Sequence, residues 1–340
     1  MKAWAYRSYG PLDRLALIEL PTPVPGPGQV QVRILAAAIN RVDGVQRQGE
    51  FKALNPQTFP YIPGKDFSGV VTALGEGVDD LAVGDEVYGA TFQLESGAFA
   101  ETIAVDRNRV ARKPKSLDHV AAASLPVALQ TAWRGLVTYG ELKRGERVLI
   151  HAGSGGVGSI AIQIAKELGA TVIATTGSDN VSWVRELGAD QVIDYRSQDF
   201  AKEVRDVDLV LDSIGGAVRR SSFSVLRPGG RLISINGTPN GAFALEQGLS
   251  IVARWALSLA TFLDERAARK AGVTWRFLLN DGSGEELALL AEWIEGGRLK
   301  PIIDRVCDFD DGLEAFAYLE KGHARGKVVL KIQETSYVPA

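Results

Sequence analysis

Two hydrophobic periodicities divide the chain. Residues 29–38 (QVQVRILAAA) begin with alternating polar and apolar positions, the pattern of a strand with one buried face. The run 21–28 (PTPVPGPG) ahead of it is a stiff connector rich in turn residues. A second strand is predicted through 67–73, followed by the turn-rich 75–77 and then by 84–88. Short strands separated by turn signals predict an irregular β-rich domain.

From about Ala121 the character changes. Residues 121–133 are helical in composition, and 138–145 lead into an apolar strand at 147–152. Helix 156–168, strand 171–175, helix 180–187 and strand 191–194 follow, then strands at 208–212, 231–235 and 273–279. Continuous apolar strands separated by helices predict a parallel sheet covered on both faces. The tail predicts a strand (301–306), a helix (310–320) and a strand (326–332). The long apolar stretch 241–263 contains Glu246 and Arg254 and reads as a buried helix, not a membrane span.

A chain of 340 residues has room for two cores, and 46% apolar with 23% charged residues is an ordinary globular balance. The formal net charge of −3, with no basic run, predicts neither nucleic acid nor an anionic membrane as partner. The first residues lack the long apolar core of a secretion signal, and Cys307 stands alone, so no intrachain disulfide can form. Both features fit a cytoplasmic location.

The strongest chemical signal is Gly153-Ser154-Gly155-Gly156-Val157-Gly158, set between the apolar strand and the helix through Ile160, Ile164 and Leu168. In that setting GxGxxG is a dinucleotide-binding turn. Gly153 is expected to allow the tight turn, Gly155 to let amides approach a pyrophosphate, and Gly158 to bring the helix close to the sheet. Exposed amides and the positive end of the helix then stabilise the phosphate charge. The competing reading is a glycine-rich turn with no ligand.

The end of the next strand bears on the choice of cofactor. NAD selection usually places an acid there for the ribose 2′-hydroxyl, whereas NADP needs room and donors. Here Thr175, Thr176, Gly177 and Ser178 follow Ala174, with no acid at the tip. Asp179, just beyond, reads as a cap for the helix from Asn180. NADPH is the expected cofactor, with NADH a possible alternative because the loop carries no basic residue. Tyr195 and Arg196 are the expected stacking and phosphate partners; the alternative is an ordinary exposed pair.

Other segments stand in order around this turn: Asn40-Arg41-Val42-Asp43, the run 59–89 (FPYIPGKDFSGVVTALGEGVDDLAVGDEVYG), Gly97-Ala98-Phe99-Ala100-Glu101, 125–133 (LPVALQTAW), Asp212-Ser213-Ile214-Gly215-Gly216, 226–230 (LRPGG) and Gly326-Lys327-Val328-Val329-Leu330. Together they resemble the medium-chain dehydrogenase/reductase superfamily, and within it the zinc-free quinone oxidoreductase branch. The resemblance covers nearly the whole chain. It implies an α/β fold: a Rossmann doubly wound parallel sheet domain (122–298) and a GroES-like β-rich catalytic domain formed from both chain ends (1–121 and 299–340). It also implies a homodimer built through the Rossmann sheet edge, with 273–279 as the candidate interface.

A catalytic zinc needs about three Cys, His or carboxylate ligands held together. Zinc-dependent relatives place a cysteine near Val42-Asp43 and a histidine-glutamate pair after Gly64, where this chain has Lys65-Asp66. Its histidines are His119, His151 and His323, each with a structural reading, so no metal site is expected. By resemblance Asn40 lies beside the nicotinamide and Asp43 fixes that loop, the two candidate catalytic positions. Thr131 is expected near the ring, Gly155, Gly156 and Val157 along the pyrophosphate, and Ser178 with Thr176 toward the adenosine phosphate. Asn236 is expected at the carboxamide and Lys327 near the phosphates. Asn40 could equally be a turn cap, and Lys327 a solvated strand end.

Two departures stand out. Val45 and Phe51 occupy places where some relatives carry a tyrosine and another aromatic hydroxyl, and no lysine lies near Asn180 or Val181. Without a metal to polarise an alcohol oxygen, hydride transfer onto an already electron-poor acceptor is the easier chemistry. The expected activity is NADPH-dependent, zinc-independent reduction of a quinone-like small molecule. The alternatives are an enone, alkenal or enoyl reductase, and a nucleotide-binding sensor or scaffold with little turnover. No proton donor stands out; Tyr61 is conceivable but equally a packing residue.

Overall fold

The computed structural model describes residues 1–52, 56–91 and 95–332. Two compact units emerge, Met1–Gln130 with Asp281–Ala340, and Thr131–Asn280. Residues 333–340, part of the expected C-terminal segment, lie outside the described residues.

In the first unit a sheet runs in the order Ile303–Asp308, Lys327–Lys331, Gln29–Ile39, Asp66–Leu74, Glu86–Ala90, Val110–Arg112, with Thr102–Asp106 also paired to Gln29–Ile39. The tail returns to this sheet: Lys327–Lys331 lies antiparallel to Gln29–Ile39, with Val328 opposite Ile39. The long strand Gln29–Ile39 shows why its pattern changes midway. Val30, Val32 and Ile34 are buried in the main core while their neighbours are half-buried. From Ala36 both faces are covered, because the short helix His119–Ala123 lies against Ala36 and Ala38. Alanine leaves room for that close approach.

The second unit is a six-stranded sheet, ordered Gln191–Asp194, Thr171–Thr176, Arg147–Ile150, Val207–Asp212, Leu226–Ser234, Thr274–Phe277. Every pairing is parallel. This is the Rossmann order, with its reversal at Arg147–Ile150. Leu149, Ile173, Val210 and Leu232 are fully or almost fully buried between helices on the two faces, which explains their unbroken apolar runs.

Three sequence expectations need correction. The unit boundaries fall at 130/131 and 280/281, not at 121/122 and 298/299. Helix Gly284–Glu295 belongs to the first unit: Leu287 and Leu290 are fully buried, and the Tyr88 hydroxyl donates to the Leu287 carbonyl at 2.7 Å. A helical period shows which face is buried but not which sheet buries it.

The strand expected at 231–235 starts earlier, at Leu226, and ends at Ser234. The apolar stretch 241–263 is not a buried helix. It breaks into Gly241–Glu246 and Ile251–Ala260, and the second of these buries none of its residues. Trp255 is 72% exposed and Leu259 80%. Hydropathy marked the segment as apolar; it could not say whether an apolar partner lay opposite. Among the described residues no helix is long and apolar enough to cross a membrane.

Candidate functional site

The glycine turn leaves the carboxyl end of Arg147–Ile150, where strand order reverses, and opens helix Gly156–Glu167. The left-handed residue is Ala152 (φ 52°), and none of the three motif glycines has a positive φ. Gly153 is therefore not needed for the turn's backbone conformation, as expected from the motif, but for packing. A Cβ there would lie 3.0 Å from Ala174 Cβ and 3.2 Å from Ile162 Cδ1. Its amide is tied to the Thr175 carbonyl at 2.8 Å. Gly158 is needed for close helix–sheet approach, as anticipated: its Cβ would fall 2.2 Å from the Ala152 carbonyl oxygen.

Gly155 differs from both. The nearest atom to a Cβ there is the Ala152 oxygen at 3.4 Å, and its backbone (φ −81°, ψ 174°) suits any residue. Nothing inside the unit demands glycine at this position. It is also the helix N-cap, and no side chain caps the helix. The first amides of a helix have no intrahelical acceptor. An uncapped helix start behind a glycine that only an outside group would require fits a bound pyrophosphate. Ser154, Gly156 and Val157 complete the turn.

The loop after Thr171–Thr176 gathers the expected adenosine-side residues. A Cβ on Gly177 would stand 3.4 Å from the Tyr195 hydroxyl and 3.6 Å from the Arg196 guanidinium, so both side chains lie over this loop. The Thr176 hydroxyl is buried without a hydrogen-bond partner. Two aspartates shape the loop in ways the sequence did not reveal. Asp179 does not cap the following helix; its carboxylate holds Arg196 Nη1 at 3.3 Å. Asp194, in register with Thr176, adds a carboxylate that ties the loop together. Its Oδ2 accepts from the Ser178 hydroxyl at 2.7 Å and its Oδ1 from the Arg196 amide at 3.0 Å. The Ser178 bond, more than any other contact, holds the Asp194 carboxyl below its usual range.

Beyond the neighbouring strand, the Asp212 Oδ1 accepts from the amides of Ile214 and Gly215, both at 2.9 Å, while its Oδ2 is buried and unpartnered. Burial pushes that carboxyl up. Asn236 is exposed and bridges to this loop, its Nδ2 donating to the carbonyls of Ser213 and Ile214 at 3.3 Å. Thr131 is 6% exposed, and its hydroxyl accepts from Asn280 Nδ2 at 3.0 Å.

In the first unit Asn40 ends the long strand and precedes helix Arg41–Arg47. Asp43 Oδ2 accepts from the Asn40 backbone amide at 2.8 Å, which fixes the loop as expected. Asn40 and Asp43 form a capping box at the start of that helix, as the capping reading expected. The Asn40 Nδ2 donates to Asp66 Oδ2 at 2.9 Å, and its Oδ1 accepts from Lys327 Nζ at 2.5 Å. Lys327 also donates to Asp66 Oδ2 at 2.8 Å, and Asp66 Oδ1 accepts from the Val127 amide at 2.7 Å.

Lys327 is 5% exposed and so is not a solvated strand end; its ammonium engages Asn40 and Asp66. Burial raises the Asp43 carboxyl to about 6, although Lys65 opposes the rise, and lowers the Lys65 ammonium. Lys65 Nζ donates to the Glu95 carbonyl at 2.6 Å.

Asp66 and Lys65 were read in the sequence only as replacements for zinc ligands. The signal that could have found the cluster was charge at the ends of apolar strands, Asp66 before Phe67 and Lys327 before Val328-Val329, where a buried charge requires a partner. Tyr61 is half-buried; its hydroxyl accepts from Gln46 Nε2 at 2.5 Å, and burial pushes it up to about 12. His151 is fully enclosed between the Thr175 and Ser222 hydroxyls at 3.1 and 2.9 Å, and burial lowers it to about 4. Among the described residues, no three His, Cys, Asp or Glu side chains form a group that could hold a metal ion.

Comparison with known proteins agrees with this architecture. Residues 26–115 match the alcohol dehydrogenase GroES-like domain, and residues 187–330 match the family described as zinc-binding dehydrogenase. The chain is 36% identical to the chloroplastic NADPH-dependent alkenal/one oxidoreductase of Arabidopsis thaliana, over 97% of this chain and 79% of that protein. It is 37% identical, with the same coverage, to the 2-methylene-furan-3-one reductase of Solanum lycopersicum. The solved quinone oxidoreductase of Coxiella burnetii superposes with a TM-score of 0.86 at 32% identity, covering 98% of this chain and 99% of that one. The chain belongs to the medium-chain dehydrogenase/reductase superfamily. It is an oxidoreductase with a Rossmann domain and a GroES-like domain.

Proposed function

We propose that the protein binds NADPH at the Gly153–Gly158 turn and reduces a small electron-poor carbonyl compound without a metal. The observation that carries this reading is Gly155, a glycine with no packing reason inside its own unit, at an uncapped helix start. Ser154, Gly155, Gly156 and Val157 would hold the pyrophosphate, and Thr176, Ser178, Tyr195 and Arg196 the adenosine phosphate. Asn40, Thr131 and Asn236 would hold the nicotinamide end. The bound dinucleotide supplies the hydride; the chain's own residues bind, orient and exclude water.

Metal independence rests on the donor set. Val42-Asp43 and Lys65-Asp66 stand where zinc-dependent relatives carry their ligands, and Lys65 places an ammonium among these carboxylates. An acceptor that is already electron-poor needs no Lewis acid, which suits quinones. The names of the Arabidopsis and tomato relatives favour a second reading, reduction of the C=C bond of an enone or alkenal.

Initial rates with NADPH and NADH against a mixed quinone and enone panel, before and after exhaustive chelation, test both. Turnover that survives chelation is expected. Loss restored by zinc overturns the metal-free reading, and cofactor-induced thermal stabilisation without turnover points instead to a binding protein. The open edge strand Thr274–Phe277 pairs on one side only, with Leu226–Ser234, and supports a homodimer formed edge to edge. Phe277→Pro removes a backbone donor from the open side of that strand, since Leu278, two places from Arg276, turns its amide inward to Ser234. It is expected to shift the protein to monomer in light scattering; an unchanged mass refutes this interface.

A further inference from the structure

An asparagine amide is nearly symmetric: a half-turn about its last torsion exchanges Oδ1 with Nδ2. Asn40 stands before two neighbours that are not interchangeable. Lys327 can only donate and faces Oδ1 at 2.5 Å. The Asp66 carboxylate can only accept and faces Nδ2 at 2.9 Å. Turning the amide over would set its NH2 against an ammonium and its oxygen against a carboxylate, replacing two attractive contacts with two repulsive ones.

The clamp itself is held firmly. Asp66 is fully buried and fixed from its other oxygen by the Val127 amide, and Lys327 is bound to Asp66 at 2.8 Å. The Asn40 backbone amide is separately pinned by Asp43. Asn40 as a residue is half-buried, in contrast to Asp66 and Lys327. The second Asn40 N–H leans toward the Ala38 carbonyl at 3.4 Å, a long contact.

We propose that Asp66 and Lys327 are positioning residues that lock the Asn40 amide oxygen-first, so that it presents an acceptor to an N–H of the bound ligand. This rests on the placement of the nicotinamide end at Asn40 given under Proposed function. The ligand group it selects is a primary amide, whose N–H donates; a ketone in the same place offers no such donor. A clamp that acts only through Asn40 has a signature that a merely structural pair lacks. Its loss should matter only while Asn40 is present.

The test measures dissociation constants for NADPH and for its 3-acetylpyridine analogue, in which the carboxamide is a methyl ketone. The parent, Asn40→Ala, Asp66→Asn/Lys327→Met and the triple variant are compared. The paired substitution removes both buried charges together, so neither is left alone. NADPH affinity is expected to fall about tenfold in the paired variant but less than twofold when Asn40 is already alanine. The preference of the parent for NADPH over the analogue is expected to disappear with the clamp. Equal losses in both backgrounds, or an undiminished preference, overturn the proposal. Failure of the parent to bind NADPH overturns the underlying functional reading instead. If the paired variant does not fold, Lys327→Gln, which keeps a donor for Oδ1, must retain the preference while Lys327→Met loses it; any other pattern refutes the clamp.

Discussion

Gly155 and Gly158 lie in one motif, three residues apart, yet substitution by alanine should affect them in opposite ways. At Gly158 the new Cβ would lie 2.2 Å from the Ala152 oxygen and 2.8 Å from Gly153 Cα, both backbone atoms. No rotamer relieves such a contact, so helix Gly156–Glu167 must move off the sheet. That strain costs about 2–4 kcal/mol, at the upper end of overpacking effects. At Gly155 the nearest atom is 3.4 Å away and the backbone angles are ordinary. Alanine loses roughly 0.5–1 kcal/mol as an N-cap and regains about as much from the less flexible unfolded chain, so stability should barely change.

The cost at Gly155 appears only with ligand. A methyl group in the pyrophosphate approach removes one or two charge-assisted hydrogen bonds, about 2–3 kcal/mol, or on the order of 30- to 150-fold in Kd. Thermal unfolding and fluorescence titration with NADPH separate the two effects. Gly155→Ala should melt with the parent and bind weakly, while Gly158→Ala should melt several degrees lower. A Gly155→Ala protein that binds NADPH with undiminished affinity would refute the placement of the pyrophosphate.

Other outcomes follow from neighbouring residues. Asp179→Asn frees Arg196 from its 3.3 Å carboxylate partner and removes a negative charge from the loop proposed to hold the adenosine phosphate. The ratio of kcat/KM for NADPH to that for NADH should rise severalfold; an unchanged ratio rejects Arg196 as a phosphate partner. His151 titrates near 6.5 in the unfolded chain but about 4 when folded, so the unfolded state takes the proton first. Its contribution is intact above 6.5 and is lost as pH falls toward 4, by about 3 kcal/mol in all. The raised Asp43 carboxyl works in the opposite direction over about the same range, because the folded state then holds the extra proton. Urea unfolding of the parent and of His151→Asn from pH 7 to 4.5 isolates the histidine. Identical pH dependence in the two would exclude it as the cause. Asp264→Asn strips the buried Arg219 of its carboxylate and should destabilise by about 3–5 kcal/mol in the same assay; a loss below 1 kcal/mol would contradict it.

The sequence by itself determined the parallel sheet and the place of the glycine turn, because both are written in local order. An apolar strand, a glycine turn and an amphipathic helix need only their own neighbours to be recognised. The lack of histidine and cysteine at the zinc positions is likewise a matter of residue identity. Tertiary structure decided whatever depends on residues far apart in the chain. Asn40, Asp66 and Lys327 meet only because the last strand returns beside Gln29–Ile39, and that meeting buries the Lys327 ammonium instead of leaving it at a solvated strand end. Asp194 joined the adenosine-side loop through strand register, and the helix at Ile251–Ala260 remained exposed because nothing in its unit covers it. Periodicity reports the chemistry of a face; only the packed fold says what that face meets.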